Sequence, residues 1–154
     1  MSVTSLLSSF YPVAWTDSSH RHHQYAALPY VETDGGIEVC LISSRETGRW
    51  VIPKGWPKAD MQPHDLAMLE AQEEAGLEGT VTAVSLGHYD YRKRLHYFFS
   101  VPCTVDVYAL RVERQLVDWP EREWRNLCWL SPVEAAPLVA EEGLARIIAG
   151  FNGV

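Results

Sequence analysis

The rhythm of apolar and polar positions along the chain changes near Tyr25. Up to residue 24, serines and aromatics mix with the cluster His20-Arg21-His22-His23, which reads as an irregular arm or a short edge element. Beyond it, Tyr25 to Val31, Ile37 to Ser43 and Trp50 to Ile52 are β-branched and aromatic runs. The turn signals Asp34-Gly35-Gly36 and Glu46-Thr47-Gly48 separate them, so short strands are predicted. A loop over Pro53 to Gln62 gives way to a helix from Pro63 to Ala75. Pro63 suits its first turn, Asp65 its positive end, and Gly76 its C-terminal cap.

Further strands are expected at Thr80 to Leu86, His88 to Tyr91, Leu95 to Val101 and Val105 to Val112. A polar loop, Val117 to Arg125, leads to a short strand at Leu127 to Leu130. Ser131-Pro132-Val133-Glu134 is a helix start with a serine N-cap, and a last helix spans about Glu141 to Ala149. This order predicts one α/β (α+β) domain over residues 1–154: a mixed sheet sandwiched with helices rather than a doubly wound parallel sheet.

Composition changes this picture little: 47% hydrophobic and 21% charged residues are ordinary for a globular chain. Charge matters more. A formal net charge of −7 argues against broad nucleic-acid binding, which needs a basic surface. It leaves room for a polyphosphate, because a local basic cluster or a metal ion outweighs the global sign. Cys40, Cys103 and Cys128 lack metal-type spacing and read as reduced thiols. The first residues hold no basic, then apolar, leader pattern, and no apolar run approaches the roughly 18 residues of a membrane span. The expectation is a soluble, cytoplasmic protein without a membrane partner, a monomer or homodimer.

The chemistry is concentrated in Leu69-Glu70-Ala71-Gln72-Glu73-Glu74-Ala75-Gly76-Leu77. At about 100° per residue, Glu70, Glu73 and Glu74 share one helix face, while Met68, Ala71 and Ala75 lie opposite, ready to pack on a sheet. Like charges three and four apart repel, and a cation relieves them. Clustered carboxylates are hard oxygen donors, so Mg²⁺ (or Mn²⁺) is the implied cofactor. Taken alone, such a face is more often a solvated helix surface; its neighbourhood decides otherwise.

Gly55, Glu70, Glu73, Glu74, Gly76 and Leu77 stand in register with the pattern G-x5-E-x7-R-E-U-x-E-E-x-G-U, where U is aliphatic. The chain resembles the Nudix hydrolases, with its box at residues 55–77 and the likeness extending from about Tyr25 to Ala136. The resemblance implies a Nudix-type α/β/α sandwich and metal-dependent hydrolysis of a phosphoanhydride bond. It further implies that Glu73 and Glu74 hold metal and that Glu70 is a further ligand or the base that deprotonates water. The Lys54 carbonyl adds a backbone ligand. A late acid, Glu121 or else Glu123, is a second ligand or base. Two positions depart from the pattern: Met61 and Leu69 stand where the family has a bracing Glu–Arg pair.

Within the family, Leu41-Ile42-Ser43-Ser44-Arg45, Arg49-Trp50-Val51-Ile52-Pro53-Lys54-Gly55, Asp118-Trp119-Pro120-Glu121 and the segment Trp129 to Ala135 are similar to two related groups. These are the diphosphoinositol polyphosphate phosphohydrolases and the diadenosine polyphosphate hydrolases. That likeness implies a phosphorylated small-molecule substrate held by Arg45, Arg49, Lys54 and Lys58, since guanidinium matches phosphate bidentately. Arg92, within the basic stretch Tyr89 to His96, is a second basic wall or part of a solvated hairpin turn. Trp56, Tyr89, Tyr91 and Tyr97 are candidates to stack a base, with packing as the alternative. An ADP-ribose or nucleotide-sugar pyrophosphatase and a catalytically silent ligand-binding module are the competing readings.

Overall fold

The computed structural model describes residues 21–154. One mixed eight-stranded sheet carries the fold: β1 (His22–Thr33), β2 (Gly36–Ser43), β3 (Trp50–Val51), β4 (Lys54–Gly55), β5 (Leu77–Val81), β6 (Gly87–His96), β7 (Phe99–Gln115) and β8 (Leu127–Leu130). The helices are α1 (Pro63–Ala75), α2 (Pro132–Ala135) and α3 (Glu142–Ala149). The sheet runs β3-β2-β1-β7-β5, with β1 and β7 parallel, and β4, β6 and β8 joining β1, β7 and β2. β2 takes the end of β1, from Tyr30 to Thr33. β4 takes its start, with Gly55 opposite Tyr25.

Side-chain alternation explains the layers. Ala26, Leu28 and Tyr30 of β1, with Val39, Leu41, Val105 and Val107, face α3 through Leu144 and Ile148. Their neighbours Ala27, Cys40, Ile42, Tyr108 and Leu110 face α1. A period of two on a sheet covered on both sides produces these two cores. α1 presents Ala67, Ala71 and Ala75 to the sheet, so its axis lies close and its carboxylates stand near the sheet's edge. Fully buried Leu66 and Leu77 at its two ends each contribute about 1.5–3 kcal/mol. Gly76 adopts φ 65° and its N–H caps the helix onto Gln72, while the ring of Trp119 fills the space a Cβ would need.

Several expectations need correcting. The arm to residue 24 lies mostly outside the described residues, but its end does not: His22 and His23 begin β1, pairing with Cys103 and Thr104. His22 is buried with its ring edge-on to Trp56, so this end is packed strand and not an irregular arm. The strand expected at Thr80 to Leu86 occurs at Leu77 to Val81, because pairing with β7 begins directly at the helix cap. The segments His88 to Tyr91, Leu95 to Val101 and Val105 to Val112 fuse into one long hairpin, β6–β7. Basic Arg92-Lys93-Arg94 pairs with Pro102, Val101 and Ser100 as strand, not turn. β7 supplies the backbone pairing for these charged residues, while Tyr89, Val105 and Val107 of the same hairpin sit in the core. No helix among the described residues is long and apolar enough to cross a membrane.

Candidate active site

Two segments distant in sequence meet at the carboxylate face of α1, and a buried arginine is a third element that binds them together. The first is β4. The Lys54 N–H donates to Glu74 Oε2 at 3.3 Å, and Gly55 lies under the Glu70 carboxylate. A Cβ on Gly55 would come within 3.0 Å of that carboxylate, so glycine is what lets Glu70 cross β4. Since the obstacle is the far end of a flexible side chain, Gly55→Ala is expected to fold normally yet displace Glu70. Turnover should fall by about 10²-fold, as for an ångström-scale misplacement of a reacting group. Thermal melting with steady-state kinetics checks this: a loss of fold, or unchanged kinetics, contradicts it.

The second segment follows β7. Helix C-termini leave carbonyls without intrahelical partners. Here the Leu116 N–H donates to Gly76 O at 2.7 Å, the Glu121 N–H to Glu73 O at 3.0 Å, and Gln115 Nε2 to both Ala75 O and Gly76 O at 3.0 Å. The loop is thereby hung on α1 and delivers Glu121. Glu123, one turn on, is exposed and faces away with Asp118 and Trp119.

The third element is Arg125, which the sequence reading passed over. Its side chain is 9% exposed, and Nη2 lies 3.2 Å from Glu74 Oε1 and 3.1 Å from Glu121 Oε1. Nη1 donates to Ser43 O at 3.1 Å, and the adjacent Asn126 N–H donates to Ser43 Oγ at 2.8 Å. One guanidinium thus ties the helix, the loop and the end of β2. Arg45 approaches Glu121 at 3.6 Å and lies over the Trp124 ring, 4.4 Å from its centroid. Arg125 left a faint signal in the sequence: the second of two cations in a polar loop, at its end and just before a strand that pairs with β2.

Burial governs the electrostatics. It pushes Glu74 well above the usual carboxylate range, although Arg125 and Lys54 pull the other way. Burial, then Glu73, raises Glu70. Lys54 is depressed by burial, against the pull of Glu74. Negative charge on the helix face is therefore undercompensated. Among the described residues no three His, Cys, Asp or Glu side chains already form a closed cage. The fit to a divalent cation is one of donor chemistry: crowded, partly desolvated oxygens whose charged forms need a positive partner.

These carboxylates border an open cleft of about 590 Å³ lined by seven Lys or Arg side chains against three Glu, on a chain of net charge −7. Arg45, Arg49, Lys54 and Arg92 line it, and Glu74 and Arg125 mark where it meets the helix. Lys58 lines an adjoining hollow with Glu70 and Glu121. Glu73 lines neither part. Arg92 also donates to Ser100 Oγ and O across the hairpin. Lys93, not singled out beforehand, lines both hollows and lies over the Trp56 ring. Of the aromatic candidates, Tyr89 is buried and Tyr91 donates to Gln24 Oε1, while Tyr97 stands 84% exposed at the hairpin tip. Met61 is 36% exposed.

The NUDIX domain model matches residues 21–151. The chain belongs to the Nudix family. Nudix hydrolase 12, mitochondrial, of Arabidopsis thaliana is 33% identical over 129 residues, covering 78% of this chain and 64% of that protein. Diphosphoinositol polyphosphate phosphohydrolase 2 of Mus musculus is 33% identical over 95 residues, covering 56% of this chain and 49% of that protein. This Nudix chain therefore spans about half to two thirds of the length of these relatives. The fold is shared with a binary complex of the C. elegans Ap4A hydrolase at TM-score 0.61 and 17% identity, over 82% of this chain and 92% of that one.

Proposed function

We propose that the protein is a divalent-metal-dependent Nudix pyrophosphohydrolase cleaving a phosphoanhydride bond in a polyphosphorylated small molecule. Diphosphoinositol polyphosphates and dinucleoside polyphosphates are the first candidates. The observation that carries this reading is the juxtaposition of Glu70, Glu74 and Glu121 with a cationic cleft on an acidic chain. Glu70, Glu73, Glu74 and the Lys54 carbonyl would hold Mg²⁺ or Mn²⁺, which when bound polarises a phosphoryl oxygen and acidifies water. Arg45, Arg49, Lys54, Lys58 and Arg92 bind and orient the phosphates, supplying the positioning on which phosphoryl transfer mainly depends. Glu70 or Glu121 accepts the proton of the attacking water. Arg125 holds Glu74 and Glu121 in register.

A nucleoside diphosphate derivative such as ADP-ribose is the second reading. It is favoured by Trp124, 57% exposed beside Arg45. A base stacking there would keep its phosphates near the cations.

Phosphate or nucleotide release from diphosphoinositol polyphosphates, diadenosine polyphosphates, ADP-ribose and nucleoside triphosphates, with Mg²⁺ or Mn²⁺ and again with excess EDTA, tests both readings. Metal-dependent turnover is expected, and its best substrate decides between them. Absence of turnover on every substrate in the presence of metal would sink the enzyme reading in favour of a ligand-binding module.

A further inference from the structure

The cleft holds a carboxylate that the proposed chemistry does not use. Glu141, just ahead of α3, pairs through Oε1 with Arg49 Nη1, and its side chain is 9% exposed. Its Oε2 is buried with no hydrogen-bond partner among the described residues. Leaving a buried acceptor unsatisfied costs stability, so this acid is not explained by packing alone. The carboxylate partners of Arg45 and Arg125 are Glu121 and Glu74, groups with a place in the proposed chemistry. Arg49 is neutralised by an acid from outside that set.

Resting on the phosphohydrolase reading, we propose that Glu141 determines substrate specificity by limiting how much phosphate charge the cleft accepts. Half-exposed Arg49 lines the cleft, yet its charge is cancelled there, and a carboxylate beside incoming phosphates repels them. Repulsion grows with the number of phosphate charges within a Debye length. The pair therefore disfavours the most densely phosphorylated ligands, and of the two candidate substrate classes it ranks dinucleoside polyphosphates ahead of diphosphoinositol polyphosphates. In this way the wall that attracts phosphate also grades it.

Binding of inorganic tripolyphosphate and of orthophosphate, measured by calorimetry in EDTA, tests the idea without catalysis. Wild type is compared with Glu141→Gln, Arg49→Gln and Glu142→Gln. Glu142 is 82% exposed and paired with Arg146, so its variant changes net charge equally outside the cleft. Glu141→Gln should tighten tripolyphosphate on the order of tenfold and orthophosphate by less than about threefold, since like-charge repulsion scales with charge. Arg49→Gln should weaken tripolyphosphate by a similar factor, and Glu142→Gln should match wild type. Should Glu141→Gln fail to fold, unchanged binding in Arg49→Gln overturns the proposal by itself. Unchanged or weaker binding in folded Glu141→Gln, or an equal gain in Glu142→Gln, also overturns it while leaving the phosphohydrolase reading in place. Failure of wild type to bind tripolyphosphate at all overturns the specificity proposal, while turnover in the presence of Mg²⁺ or Mn²⁺ still decides the phosphohydrolase reading.

Discussion

Glu74→Gln should abolish metal-dependent turnover while leaving the fold standing. Both carboxylate oxygens of Glu74 face donors: the Lys54 N–H at 3.3 Å and Arg125 Nη2 at 3.2 Å. An amide has one acceptor, so whichever way it turns, its NH₂ opposes a donor and the local register loosens. It also removes the negative charge that a hard cation needs. Together these losses should lower kcat/KM on the order of 10³-fold, the scale of removing a preorganised electrostatic contact. Stability should move little, because burial already disfavours the charged carboxylate and glutamine lifts that penalty. Kinetics at saturating Mg²⁺, with a melting curve on the same sample, decide the matter. Turnover within tenfold of wild type would remove Glu74 from the machinery.

Arg125→Met is the second large effect, and it should strike stability and rate together. The substitution strips a buried guanidinium from Glu74, Glu121 and the Ser43 carbonyl at once. Breaking a buried pair by deleting one partner costs about 3–5 kcal/mol, and proton uptake by Glu74 offsets part of it. A loss of about 3 kcal/mol corresponds to a fall in Tm of roughly 6–12 °C for a chain of this size. With Glu121 no longer tied to Glu74, kcat should fall by about 10²-fold. Arg125→Lys restores charge without the fork, so it should recover part of the stability and little of kcat. A normal kcat in Arg125→Met would show that Arg125 holds the fold and not the site.

Local signals were legible wherever one residue type has one structural job. Pro63 and Gly76 bound α1 as expected, and Ser131 Oγ accepts from the Glu134 N–H at the start of α2. The shared face of the three box glutamates was readable from spacing, while Gly55 and the cations Arg45, Arg49 and Lys54 were picked out only through the family resemblance. What escaped was set by tertiary contact. β6 carries Arg92-Lys93-Arg94 through a strand because β7 supplies its hydrogen bonds, a constraint that no period along β6 records. β5 starts at Leu77 because the helix cap places it against Gln115. Arg125 and Glu141 look like ordinary surface charges until the loop and α3 are folded back onto the sheet. Cys40 and Cys103 proved buried and unbridged, and Cys128 half-buried and unbridged, so the cysteines play no part in joining these pieces.

The loop from Leu116 to Arg125 hangs on α1 by the amide-to-carbonyl bonds of Leu116 and Glu121, with Gln115 and Arg125 as side-chain straps at its two ends. Main-chain anchors are indifferent to side-chain identity, proline apart. Val117, Glu123 and Trp124, all exposed, can therefore drift or be randomised while Glu121 and Arg125 stay where they are. The outer surface of this loop, with Trp124 beside Arg45, is free to change on a catalytic frame that does not have to be reinvented each time.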